Sequence, residues 1–410
     1  MLAYRYFFVI AILLALLPHS FAQLPSPEDA MTKRIAFWVK IYSELSTSQG
    51  VIHDAKYPEI VYETMDFTAD QQNFTIPTKT RENLYQNKIK NLKAFYVKLL
   101  LSIHKKQHTP EALTDAEKRI VKLYSEVKEP NKFFAAAHGK RVRFQLGQKD
   151  RFYQGLYYSG KYLPAMEQIF KNKGLPVEIT RLPFVESSFN VMARSKVGAS
   201  GIWQFMRSTG KSYLKINEVI DERNDPLKAT EAAAELLKLN YESLKSWPLA
   251  ITAYNHGRKG MMRAQSKLGT DNLSEIIENY RSRSFGFASS NFYSEFMAAV
   301  EVEKNAEKYF GKIDRDHAME FHEVVMNDYV DIQDLATYTR IPITQLLEYN
   351  PSFTDNIVKR KFFIPSEFSL KIPVTMRDLF LVRYNQIPPQ KKFANQKGNL
   401  LGKTFRKIFR

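Results

Sequence analysis

Three short segments hold residue types that could do chemistry. The first, Leu182-Pro183-Phe184-Val185-Glu186-Ser187-Ser188-Phe189, sets one carboxyl among apolar side chains. Partial desolvation there disfavours the charged form and lets Glu186 keep a proton near neutral pH. A general acid acting on a glycosidic oxygen needs that property. The second runs from Ala193 through Ser200-Gly201-Ile202-Trp203-Gln204-Phe205-Met206. Its small residues, Ser200 among them, allow a backbone to approach a ligand closely. Gln204 offers a donor and an acceptor on one side chain, a match for hydroxyl or acetamido groups. The third is Ala253-Tyr254-Asn255-His256-Gly257. Tyr254 can stack on a ring face, Asn255 can bond an amide, and His256 reads as a helix C-terminal residue near free carbonyls. Each segment alone also fits an ordinary structural role: a helix-end ion pair, a tight turn before a buried helix, a helix terminus.

Elements with strong signals must position these residues. Asp225-Pro226 starts a helix, with the aspartate capping free amides and the proline in the first turn. Glu231 to Leu244 continues it in Ala, Leu, Glu and Lys. Trp247-Pro248 opens another helix, which should stop at Gly257 because glycine accepts the left-handed conformation. A further helix is expected from Phe292 to Ala306. Upstream, Lys88 to Lys106 repeats apolar residues at helical spacing, so residues 23–140 read as a helical region. Phe37 to Glu63 has no clean period. Downstream, strand–helix–helix–strand is expected over 318–370: Phe321 to Val325, Val330 to Tyr338, Ile343 to Tyr349 and Phe362 to Pro365. The fold class is therefore mainly α, with a small α+β module.

Composition sets bounds. The chain has 410 residues, 44% of them hydrophobic, enough for two or three domains with real cores. Its 29 Phe and 22 Tyr would suit a protein that handles sugar rings. Residues 1–22 read as an export signal: Tyr4-Arg5, an apolar run from Phe7 to Leu17, and Ser20-Phe21-Ala22 before the cut. An uncleaved anchor is the alternative. There is no cysteine, so neither disulfides nor a lipid-bearing cysteine is expected. The net charge of +17 favours polyanions such as a cell wall with peptide carboxylates. Nucleic acid is not expected, since no reader motif accompanies the export signal. Residues 371–410 read as a basic tail, with seven Lys or Arg and no acid in the last 20 positions. The tail is either simply solvated or in contact with an anionic wall or membrane surface. No cluster has metal-ligand spacing, and no cofactor is expected.

Taken in order, Glu186-Ser187, then Gly201-Ile202-Trp203-Gln204, then Ala253-Tyr254-Asn255 resemble the lytic murein transglycosylases with a goose-lysozyme-like (SLT) domain, of the membrane-bound D type. Gly174-Leu175-Pro176, Asp221 to Pro226 and Phe285-Gly286-Phe287-Ala288 also suit that subgroup. The resemblance implies a lysozyme-like helical domain over 141–312 acting on peptidoglycan glycan strands. Glu186 would be the single acid and base. Ser187, Ser200, Gln204, Tyr254 and Asn255 would hold substrate. The bond cut would be the β-1,4 link between N-acetylmuramic acid and N-acetylglucosamine, with the muramic 6-hydroxyl as nucleophile and no second carboxylate. Asp331 to Ala336, Leu346 to Pro351 and Ile364-Pro365 resemble a degenerate LysM module over 318–370, with Asn327-Asp328-Tyr329 in place of the usual Gly-Asp-Thr. The family's lipid-attachment cysteine is missing, so a periplasmic or envelope-associated protein, not a lipoprotein, is expected. Two rival readings are a hydrolase that draws a second acid from Asp221, Glu222 or Asp225, and a wall-binding protein without catalysis.

Overall fold

The computed structural model describes residues 24–26, 29–72 and 77–396, so the export signal expected over 1–22 lies outside the described residues. The chain opens with α1 (Asp29–Ser43), then β1 (Gln49–Asp54) and β2 (Val61–Asp66). Next come α2 (Thr78–Lys105), α3 (Asp115–Leu123) and β3 (Val142–Leu146). The strands form an antiparallel sheet in the order β2-β1-β3. Residues 23–140 are thus not purely helical, and the sheet crosses the boundary expected at 140. Val51, Ile52 and His53 are all buried, on both faces of β1. A strand buried on both faces loses the two-residue alternation, which is why this one had no clean period. Gly50 lies beneath the ring of Phe144, where a side chain could not fit.

The catalytic-type segments sit in a helical body. It comprises α4 (Lys149–Asn172), α5 (Leu182–Ser187), α6 (Pro226–Leu244), α7 (Trp247–His256), α8 (Arg258–Leu268) and α9 (Phe287–Lys304). Asp225 accepts from the amides of Leu227 and Lys228, and Pro226 fills the first turn of α6, as the sequence requires. α7 ends at Gly257, whose φ is 87°. α9 begins five residues earlier than expected, at Phe287, because Gly286 supplies the entry. α1 shares this core: Phe37, Trp38, Ile41 and Tyr42 pack in one cluster with Phe152, Phe184, Trp203 and Phe296. A separate cluster under α2 and the sheet includes Ile52, Tyr62, Leu100 and Tyr124.

The C-terminal module contains β4 (Phe321–Val325), α10 (Ile332–Thr339), α11 (Ile343–Tyr349), β5 (Ser369–Pro373) and α12 (Arg377–Asn385). Strand–helix–helix–strand order is present, but β4 pairs with Ser369–Pro373 and not with Phe362–Pro365. Ile364 makes only an isolated bridge to Val330. α12 packs back through Phe380 and Tyr384, with Ile387 beyond it. Lys391 pairs with Asp334 at 2.6 Å, and Lys392 lies 4.5 Å from the Tyr384 ring. Residues 371–396 are therefore part of the module and not a free basic tail; 397–410 lie outside the described residues.

The module is fastened to the helical body. Ile220 belongs to its core and bridges to Phe353. Thr354 and Asn356 donate to the Glu218 carbonyl at 2.6 and 2.8 Å. Lys371 reaches Asp225 at 2.6 Å, with both side chains under a tenth exposed. Lys161 pairs with Glu348. Among the described residues no helix is long and apolar enough to cross a membrane.

Candidate active site

Glu186 lies in the last turn of α5, a six-residue helix entered through Pro183. Two left-handed residues follow, Ser188 at φ 51° and Phe189 at φ 56°. They turn the chain sharply away, so the carboxyl stands at a helix end and not along a packed face. The apolar neighbours read from the sequence are real: Leu182, Phe184 and Phe189 are buried. Phe184 stacks on Phe152 at 4.6 Å and meets Phe189 edge-on at 4.6 Å. Glu186 itself is half-buried and has neither a hydrogen bond nor an ion pair among the described residues. Burial pushes its carboxyl up to about 8.

Ser187 donates to the carbonyls of Pro183, at 3.2 Å, and Ile202, at 2.9 Å. It therefore ties the acid-bearing helix to the 193–206 loop. Gln204 sits in that loop at φ 49°. Its amide nitrogen donates to Gly201 O at 2.7 Å and Ala193 O at 3.2 Å. Its donors are thus engaged within the loop, and Oε1 is its remaining polar atom. Gly201, at φ 77°, passes so close to the Arg223 carbonyl that a side chain is excluded. Ser200 is buried and donates to Asn224 at 2.6 Å, so it braces the loop where a ligand-facing role was expected.

Tyr254 is half-buried against Trp203, Phe205 and Phe292, with centroids 6.0–6.5 Å away. Its hydroxyl donates to Trp203 O at 2.8 Å. Burial and the charge of Glu186 both push its hydroxyl up, so the ring lies within electrostatic reach of the acid. Asn255 is exposed, and its Oδ1 accepts from Ser289 of α9 at 3.0 Å. His256 meets Phe285 edge-on and fills the space over Gly260. A cleft of about 620 Å³ opens beside the acid, lined by Glu186 and Ser187 together with Arg151, Gln154, Tyr158 and Met192. Gln204, Tyr254 and Asn255 do not line that cleft; of the three, Tyr254 is the one that feels the charge of the acid.

The structure adds a carboxyl that sequence reasoning missed. Glu295 on α9 is half-buried and, like Glu186, has no hydrogen bond or ion pair among the described residues. Burial, then the Glu186 charge, pushes it up to about 8, against the opposing pull of Arg143 from β3. Tyr42 from α1 is pushed up by burial and by both carboxylates. The charge of one carboxyl therefore disfavours ionisation of the other. A second carboxyl thus stands within electrostatic reach of Glu186. The only signal was an acid at an apolar helix position between Tyr293 and Phe296. The three acids named for a hydrolase are otherwise engaged. Asp221 pairs with Arg223 at 2.8 Å, Glu222 accepts from the Lys215 amide at 2.6 Å, and Asp225 caps α6 and holds Lys371. Among the described residues no group of His, Asp or Glu could hold a metal ion.

The chain is 28% identical over 183 residues to membrane-bound lytic murein transglycosylase D of Escherichia coli (strain K12), covering 44% of this chain and 40% of that protein. It is 32% identical over 100 residues to a putative tributyltin chloride resistance protein of an Alteromonas species, covering 24% of this chain and 48% of that one. The chain thus spans less than half the length of the curated relatives it matches. A solved structure of an inactive mutant of the lytic transglycosylase Slt from Pseudomonas aeruginosa aligns with a TM-score of 0.30 at 15% identity, over 51% of this chain and 33% of that one. Residues 165–277, which contain Glu186, Gln204 and Tyr254-Asn255, match the family described as Transglycosylase SLT domain.

Proposed function

We propose that this chain is a lytic transglycosylase that cuts peptidoglycan glycan strands, with Glu186 as acid and base in turn. One observation carries the reading: a half-buried, unpaired carboxyl, protonated at neutral pH, at the end of a helix that Ser187 locks to the Gln204 loop. In this reading Glu186 gives its proton to the oxygen of the β-1,4 bond between N-acetylmuramic acid and N-acetylglucosamine, and the bond from that oxygen to C1 breaks. The carboxylate so formed takes the proton of the muramic 6-hydroxyl as its oxygen bonds to C1. A 1,6-anhydro end results, no water is consumed, and Glu186 regains its proton. Gln204 Oε1 and Asn255 would bond substrate polar groups, and the Tyr254 ring would border the sugar. Ser187 acts by placing the acid. Ser200 acts one step further back, by bracing the loop. The protein would work in the cell envelope, exported by residues 1–22, with the C-terminal module, read as a degenerate LysM unit, helping to hold the wall.

Glu295 supports a second reading, hydrolysis by a goose-lysozyme-like muramidase. There a second carboxylate would activate water while Glu186 protonates the leaving oxygen. Digesting purified sacculi with the chain and weighing the released muropeptides decides between them. Anhydro ends, lighter than reducing ends by one water, support transglycosylation; reducing ends overturn it. Absence of any release would leave a wall-binding protein without catalysis.

A further inference from the structure

Away from Glu186, a cavity of about 450 Å³ lies between α1, the β1–β2 connection and the segment entering α9. Its charged lining is all cationic: Arg34, Lys56, Arg281 and Arg283, with the hydroxyl-bearing Ser282 and Ser290 beside them. Lys56 has counter-ions, Glu278 at 2.6 Å and Glu129 at 3.3 Å. The arginines have none within ion-pair distance among the described residues. Arg34 is only 7% exposed. It donates to the Lys56 carbonyl and, at 3.4 Å, to Asn291 Oδ1, with Glu59 and Glu278 acting on it only through their fields. Arg281 donates to the Tyr280 carbonyl at 3.1 Å. A buried guanidinium without a carboxylate is costly. Arg34 bears that cost at the floor of the cavity, and the exposed Arg281 and Arg283 at its rim add two more guanidiniums, whose fork matches the geometry of an oxyanion.

The position ties this cavity to the acid site. Ser289 holds Asn255, Ser290 lines the cavity, and Asn291 accepts from Arg34. Three consecutive residues of α9 thus join the substrate-facing end of α7 to the cationic pocket. We propose that the pocket is an anion subsite that takes carboxylates of the stem peptide borne by the strand held at Glu186. The proposal rests on the wall-cleaving reading above. Phosphate of a wall polymer shares the oxyanion chemistry and is the competing source.

The test uses the full chain and an Arg281→Gln, Arg283→Gln double variant, both changes being on exposed side chains. kcat/KM is measured on glycan strands bearing peptides, on the same strands stripped by an amidase, and on stripped strands still carrying phosphate polymer. The expected result is a loss of about tenfold, seen in KM, on peptide-bearing strands alone, the size of losing one or two charge-assisted bonds. An equal loss on all strands, no loss, or a loss confined to phosphate-bearing strands overturns the proposal. Calorimetry with released stem peptide reads the pocket without turnover. Binding is expected to both the parent chain and Glu186→Gln, and to be lost in the double variant; no binding to the parent chain overturns the subsite. If the parent chain cleaves no strand yet binds the peptide, the catalytic reading fails while the subsite stands.

Discussion

Two buried acids in this molecule meet opposite fates. Asp54, at the end of β1, is fully buried and saturated. Arg141 donates to both its oxygens, at 3.0 and 2.6 Å, Tyr124 donates at 2.5 Å, and the Lys56 amide donates at 2.7 Å. Glu186 is less buried and has no hydrogen-bond or ion-pair partner among the described residues. A protein that merely needed a carboxyl in its interior would treat it as Asp54 is treated, since an unpaired buried charge is expensive. Leaving Glu186 unpaired means that it stays protonated, and a protonated carboxyl is a reagent. The contrast separates an acid that holds a fold from one proposed to do chemistry.

The largest effect that could break the contrast is at Glu186. Glu186→Gln should lower wall cleavage by roughly 10²–10⁴-fold, the range for a lost general acid, with an unchanged circular dichroism spectrum. Asp54→Asn should do the reverse. It removes one of the two carboxylates on Arg141, Glu129 remaining at 2.7 Å, and should cost about 1.5–3 kcal/mol of stability, while turnover per folded molecule persists. A denaturant titration alongside dye release from sacculi reads both, and a variant that loses activity without stability at Asp54 would erase the distinction.

Stability against pH sharpens it further. Glu186 titrates near 8 in the fold and near 4.5 when unfolded. Between those values the native state binds more protons, so this group's contribution makes stability fall as pH rises through that window. Below about 4.5 the cost is absent, and above about 8 it is complete. Glu186→Gln should remove that component, leaving the variant more stable than the parent chain at pH 8 but not at pH 4. A smaller shift belongs to Glu295→Gln. Coupling is mutual, so removing the Glu295 charge should ease ionisation of Glu186. The alkaline limb of the rate profile then moves to lower pH by up to about one unit, with the acid plateau kept. A purely structural role for Glu295 would lower the plateau and leave the limb in place. Ser187→Ala, which removes the bond to Ile202 O, should cost about 1 kcal/mol and reduce kcat more than it raises KM.

Much of the site was legible because its motifs are local. Glu186 in its apolar setting, the Asp225-Pro226 start and the Gly257 stop depend on neighbours within a few residues, and the structure keeps each. Ser200 was misread because its partner, Asn224, is 24 positions away. Glu295 was missed because its significance depends on α5, α1 and β3 converging on α9, a fact that no spacing along the chain encodes. The same holds for β1, buried on both faces, and for Lys391 and Lys392, which looked like tail charges until their partners Asp334 and Tyr384 were in place.

The Asp225–Lys371 contact carries a mechanical consequence. The carboxylate that caps α6 is also the one the C-terminal module grips, and Ile220 is sunk in that module's core. The two parts meet as a weld with no slack, unlike beads on a string. A pull applied to the module would load the start of α6 directly, and the 193–206 loop that rests on Arg223 and Asn224 would feel it next.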